Sequence, residues 1–160
     1  MDPREMFEGV LADFARETGR ELRLDARGGC AFFVADMPFN LQLLPASGQI
    51  LAWSQMGRLG DDANAPRRAR ALLELNDAWE GSCGGTFMMD PDTGVVFLAD
   101  RRGVETICDA DRLAAWIDSL ASGLVAGYRV TEIDFPYVDD AFFGEVPPMI
   151  REIVDGKEQR

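Results

Sequence analysis

The chain has 160 residues, of which 28 are acidic and 16 basic, with no histidine and a net charge of −12. One domain of this length buries roughly 70% of the surface its unfolded chain exposes, so it needs neither disulfide nor metal for stability. The acidic balance, with no basic stripe, argues against a nucleic-acid partner, and the missing histidine removes the commonest general base and every Ser-His or Cys-His nucleophile.

Asp2 is placed to cap a helix with Pro3 at its first position, and Met6, Phe7, Val10, Leu11 and Phe14 recur at helical spacing until Gly19. From Glu21 the period changes. ELRLD (21–25) alternates, Gly28-Gly29 turns the chain, CAFFVAD (30–36) is almost continuously apolar, and FNLQLL (39–44) alternates again before Pro45 and Ser47-Gly48. QILAWSQMGRL (49–59) reads as a further strand, giving three or four antiparallel strands in succession. Asn64-Ala65-Pro66 opens a second helix over RRARALLELNDAWE (67–80), with Ala69, Leu72, Leu73 and Trp79 near one face and Gly81 as its stop.

The next stretch, TFMMDPDTGVVFLAD (86–100), sets two apolar runs around two aspartates. Asp90 and Asp92 supply too few oxygens for a calcium loop. Pro91 and Gly94 instead suit a reversal of the chain, so the stretch is a hairpin. Arg101-Arg102-Gly103 leads into a short strand, VETIC (104–108), and Asp109 caps a third helix whose Leu113, Trp116, Ile117, Leu120 and Leu124 share a face. The predicted class is α+β: an antiparallel twisted sheet with three helices, in the order α-β-β-β(-β)-α-β-β-β-α.

Catalytic and cofactor motifs are missing. No GxGxxG or GxxxxGK[ST] occurs, and the lone Lys157 lies in a charged terminus without the desolvated pocket a Schiff-base lysine needs. Asp61-Asp62 and Asp139-Asp140 read as solvated loop carboxylates, the alternative being a catalytic dyad. Cys30, Cys83 and Cys108 are far apart, without CxxC spacing, and read as reduced structural thiols. Cys83, in EGSCGG, has no adjacent cation to lower its pKa. Arg67, Arg68 and Arg70 form the one basic cluster: a solvated helix face, or a contact for an acidic patch on a partner. We expect no enzyme activity, no cofactor and no metal. The start, MDPREMF, lacks a leader pattern and no run approaches eighteen apolar residues, which predicts a soluble cytoplasmic protein without membrane insertion.

What the strands have in surplus is apolar surface. In CAFFVAD both alternating faces are apolar, Cys30, Phe32 and Val34 on one side and Ala31, Phe33 and Ala35 on the other. Three helices cover one face of a sheet, so the second is covered by the remaining chain or by another protein. Met37, Met56, Met88 and Met89 suit an adaptable binding surface or core filling.

The order of elements, with FARETG closing the first helix, ELRLD and GGCAFFVAD, FNLQLL before QILAWSQMGRLG, LLELNDAWEG, the GGTFMMDPDTGVVFLAD hairpin and LAAWIDSL in the last helix, resembles the CesT/Tir-type class I chaperones of type III secretion over residues 3–127. The resemblance implies a bacterial cytoplasmic homodimer that holds the N-terminal segment of a secreted effector in extended form, without an enzymatic step, and engages the secretion apparatus. Carried over by position, Leu72, Leu75 and Trp79 are dimer-interface candidates, and Phe7, Leu11, Phe32, Val34, Leu41 and Leu43 are client-binding candidates. Alternation alone leaves open which apolar face meets helices and which meets a client.

Residues 1–130 form the chaperone-like domain of this reading, and 131–160 an acidic tail carrying Phe135, Tyr137, Phe142 and Phe143. That tail is either a partner-docking segment or a flap over the client groove. The alternative function is an acidic inhibitor or mimic that covers a basic surface of a partner, whose binding, unlike groove binding, weakens steeply with salt.

Overall fold

A computed structural model describes residues 1–133. Its elements run α1 (Pro3–Thr18), β1 (Gly29–Val34), β2 (Met37–Leu44), β3 (Gln49–Arg58), α2 (Ala65–Leu75), β4 (Thr86–Met89), β5 (Val95–Gly103) and α3 (Ala110–Thr131), with short 3-10 turns at Asp77–Trp79 and Val104–Thr106. The five strands form one antiparallel sheet in the order β1-β2-β3-β5-β4, so β5 inserts between β3 and β4, and β1 and β4 are the edges. This is the α+β class that the patterning predicts. Most of the tail predicted from residue 131 lies outside the described residues.

Local chemistry explains the helix starts. The Asp2 carboxylate accepts from the Arg4 N–H, and the Asp109 carboxylate accepts from Arg112 N–H at 2.8 Å, each satisfying a donor that the first turn leaves orphaned. DPDTG is a turn: Asp90 is buried, and its carboxylate accepts from the N–H groups of Asp92 (2.8 Å) and Thr93 (3.2 Å) rather than facing a cation.

Three predicted elements differ. ELRLD joins no ladder, although Leu22 and Leu24 pack against the core. Asp25 accepts from the N–H groups of Arg27 and Gly29 at 2.8 and 2.9 Å, and this local loop takes the backbone bonds a strand pair would use. VETIC is not a strand either. β5 continues to Gly103, and Val104–Thr106 then tightens into a 3-10 turn that buries Val104 and Ile107, which are three residues apart rather than two. The second helix ends at Leu75 rather than Glu80, because Ala78 and Trp79 take left-handed conformations with φ of 51° and 57°. A turn the pattern does not reveal joins β1 to β2. It consists of Ala35 and Asp36, both at positive φ, the geometry of a two-residue hairpin in which Asn-Gly is usual.

The main core lies between the helices and one sheet face, and combines Phe7, Leu11 and Phe14 of α1 with Phe39, Leu41, Leu43, Ile50, Val96 and Leu98 of the strands and Leu113, Ile117, Leu120 and Leu124 of α3. Trp116 Nε1 donates to the Asp100 carboxylate at 2.8 Å, and Arg102 Nε donates to the same oxygen at 2.9 Å, which ties α3 to β5. Further along α3, a Cβ at Gly123 would lie 2.3 Å from the Ser82 carbonyl oxygen and one at Gly127 would lie 2.7 Å from the Phe87 ring. The bare backbone of α3 thus seats the loop before β4.

Tyr128 closes this packing by donating its hydroxyl to the Met56 carbonyl at 3.2 Å. Burial holds its phenol well above the usual tyrosine range. The folded chain therefore keeps the proton at pH values where the unfolded chain has lost it. The associated stability is intact below pH about 10 and is lost as pH rises from there toward the folded-state value. Tyr128→Phe is expected to cost about 1 kcal/mol at neutral pH through the lost hydrogen bond, and to flatten the alkaline loss. Urea denaturation at neutral pH and above pH about 10 checks both expectations.

Candidate functional site

The other face of the sheet carries a second apolar cluster: Leu44, Leu51, Trp53, Phe97 and Ala99, flanked by Met88 and Val95. All of its members are strand residues, and no described helix contributes to it. Trp53 is nevertheless only 4% exposed, and Phe97 is fully buried.

The client-binding candidates fall on the opposite side. Phe7, Leu11, Phe32, Leu41 and Leu43 are buried in the core, where they join α1 to β1 and β2. Phe32 stacks on Phe39 with centroids 6.1 Å apart, and Phe14 tilts against it at 6.0 Å. Val34 is half-buried at the edge of this cluster. These side chains hold the helix layer on the sheet, and of the six Val34 alone is not buried.

The dimer candidates separate. Leu72 is buried against the core, Leu75 is half-buried, and Trp79 is 60% exposed on the left-handed turn after α2. Two residues outside the candidate set join this surface: Leu73, at 68% exposure, and Met89 of the edge strand, at 44%. Together with Leu59, Ala69, Phe87, Met88 and Val96 they border an apolar cleft of about 180 Å³ between α2 and β4. Leu73 was legible as part of the helical face, while Met89 belongs to it only because β4 is an edge. Asn76 fixes the cleft's floor: Phe87 N–H donates to its Oδ1 at 2.8 Å and its Nδ2 donates to the Phe87 carbonyl at 3.1 Å, so the side chain pairs with β4 as a neighbouring strand would.

The polar features are engaged locally. Arg68 donates to both Asp62 oxygens at 3.0 Å and to the Leu59 carbonyl at 3.1 Å, and its hydrogen bond lowers the Asp62 pKa. Arg70 pairs with Glu74, and Arg67 lies 3.7 Å from Glu132. Asp62 is thereby a loop clamp, and Asp139-Asp140 lies outside the described residues. Cys83 and Cys108 are exposed rather than packed as structural thiols; Cys30 is half-buried, and desolvation raises its pKa. Among the described residues no group of three or more Cys, Asp or Glu could hold a metal ion, and no helix is long and apolar enough to cross a membrane.

Residues 9–125 match the profile of the Tir chaperone protein (CesT) family. No curated protein matches by sequence comparison. Among solved structures, a chain of the ExsC–ExsE complex is similar with a TM-score of 0.62 at 21% identity, covering 87% of this chain and 100% of that one. A chain of the HopA1–SchA chaperone–effector complex gives 0.61 at 18% identity, covering 79% and 95%. A chain of the complex between the Yersinia pestis type III secretion chaperone SycH and a fragment of YscM2 gives 0.57 at 20% identity, covering 74% and 97%. At these identities the likeness is one of fold.

Proposed function

Because this chain belongs to the Tir chaperone protein (CesT) family, we propose that it is a dimeric, non-enzymatic type III secretion chaperone that binds the N-terminal segment of an effector in extended form. The observation that carries the reading is the match over residues 9–125, joined to a sheet whose two faces are both apolar while its helices pack on one. Such a sheet offers an extended segment main-chain partners at an edge and apolar seats for alternate side chains. A large wrapped surface is needed, since ordering a disordered segment opposes binding.

The dimer contact in this proposal is the α2–β4 cleft, with Leu73 and Met89 burying their exposed area against a second copy beside buried Leu72, and with Trp79 and half-buried Leu75 joining it from the end of α2. Client contact is at the β1 edge, where Val34 reaches the surface over the support of Phe7, Leu11, Phe32, Leu41 and Leu43. The partners are thus a second copy, a secreted effector and the secretion apparatus, in the bacterial cytoplasm.

Light-scattering mass of the purified chain, alone and co-expressed with candidate secreted proteins from neighbouring genes, tests the reading. We expect a mass of about twice 17.7 kDa and co-purification dependent on the partner's N-terminal segment. Leu73→Asp is expected to shift the chain to monomer with an unchanged circular dichroism spectrum, since that side chain is exposed in the single chain. A monomeric parent chain that retains no secreted protein would sink both dimer and client.

A further inference from the structure

We propose that the hollow between the start of α3 and the end of β5 is a docking site for an acidic side chain of a partner polypeptide, with Arg102 and Arg112 receiving its carboxylate. The hollow has a volume of about 250 Å³, and its lining includes those two arginines and no acidic residue. In a chain of net charge −12, a recess holding two guanidinium groups inverts the local field. An acidic group that the rest of the surface repels is drawn there.

Arg102 is held ready. The Asp100 carboxylate accepts from Arg101 N–H at 2.8 Å, from Trp116 Nε1 at 2.8 Å and from Arg102 Nε at 2.9 Å, and the Arg102 guanidinium lies over the Trp116 ring, 5.9 Å from its centroid. This grip uses Nε and leaves both Nη groups, which donate no hydrogen bond among the described residues. Arg112 is equally uncommitted. Its Nε is 3.7 Å from Asp109 Oδ2, an ion-pair distance beyond hydrogen-bond reach, and its guanidinium donates to no described residue. The hydroxyls in the lining are spent on backbone, Thr106 Oγ1 donating to the Gly103 carbonyl and Ser119 Oγ to the Ala115 carbonyl. The unused donors are those of the two arginines, and a planar guanidinium matches a carboxylate in geometry as well as charge.

Two observations favour a polypeptide over a free ion. The arginine side chains are 46% and 60% exposed, and pairs this exposed hold a lone ion weakly. In addition, an apolar groove of about 180 Å³, bordered by Met6, Val10, Val104 and Cys108, shares Ile107 with the hollow. A segment with an apolar residue near its acidic one fills both recesses, and the apolar burial adds what the exposed pair lacks.

NMR titration of the full chain tests this, read at the indole N–H of Trp116 and the Nε–H of Arg102. The probes are a pool of short synthetic peptides, each with one leucine and one glutamate at varied separation and otherwise uncharged, the same pool with glutamine for glutamate, and glutarate alone. The glutamate pool is expected to shift both signals at several-fold lower concentration than either of the others. Arg112→Gln, at an exposed position, is expected to remove most of that difference. Absent shifts, an equal response to the glutamate and glutamine pools, or an undiminished response in Arg112→Gln would each overturn the proposal. Glutarate acting at the same concentration as the glutamate pool would also overturn it, because the site would then be one for a free anion. The titration needs neither a dimer nor a secreted effector, so this proposal and the proposed function fail separately.

Discussion

Gly123→Ala is expected to destabilise the protein by about 3 kcal/mol, at the upper end for one added methyl group. The added Cβ would sit 2.3 Å from the Ser82 carbonyl oxygen and 3.0 Å from a Leu98 methyl. The first of these is a backbone atom, so no rotamer change relieves the clash. The loop before β4 would have to lift away from α3, together with the contact between Gly127 and the Phe87 ring. A urea midpoint well below that of the parent chain, at an unchanged m-value, is the expected result. Gly9→Ala is the control. Gly9 is exposed on α1, with nothing within 4 Å of the new methyl, and helix propensity there favours alanine by up to about 1 kcal/mol. Equal losses at the two positions would show that the close approach of α3 to the loop is not what the glycine provides.

The second large effect concerns a residue singled out as a binding candidate. Phe7→Ala is expected to cost about 3–5 kcal/mol, since it empties a fully buried aromatic site where α1 meets the sheet. A domain of this size has about 5–15 kcal/mol in total, so a large share of its stability rests on that ring. Reduced partner capture by this variant would therefore report unfolding before it reported binding. Thermal unfolding of the variant decides: a melting temperature close to that of the parent chain would mean that α1 can leave the sheet cheaply and that Phe7 is accessible after all.

Those two residues mark where sequence patterning succeeds and where it stops. The period of α1 and α3, the caps Asp2 and Asp109 and the DPDTG turn are local chemistry, complete within a few residues, and all are present as read. Alternation in β2 and β3 was equally legible. The misread segments had the right apolar content but a local competitor: the Asp25 carboxylate took the backbone donors after ELRLD, and the i,i+3 spacing of Val104 and Ile107 suited a 3-10 turn as well as a strand. The site was harder for a different reason. Whether Leu41 or Leu51 faces the helices depends on how three helices fold back onto the sheet, which period-two alternation does not encode. Trp79 falls on the helical stripe only if the helix continues, and left-handed Ala78 turns it outward.

An open antiparallel sheet carries a hazard as well as an opportunity, because unpaired strand edges are templates for endless stacking. Here the two edges are unequal. β4 has only four residues, and both main-chain groups of Phe87 are already occupied by the Asn76 amide. β1 has six, and Arg20 donates a hydrogen bond to its Phe33 carbonyl. Fibre growth needs two open ends per molecule, and the described β4 edge is short and partly occupied. With β4 blunted in this way, a strand added at β1 is expected to end the array after a single step.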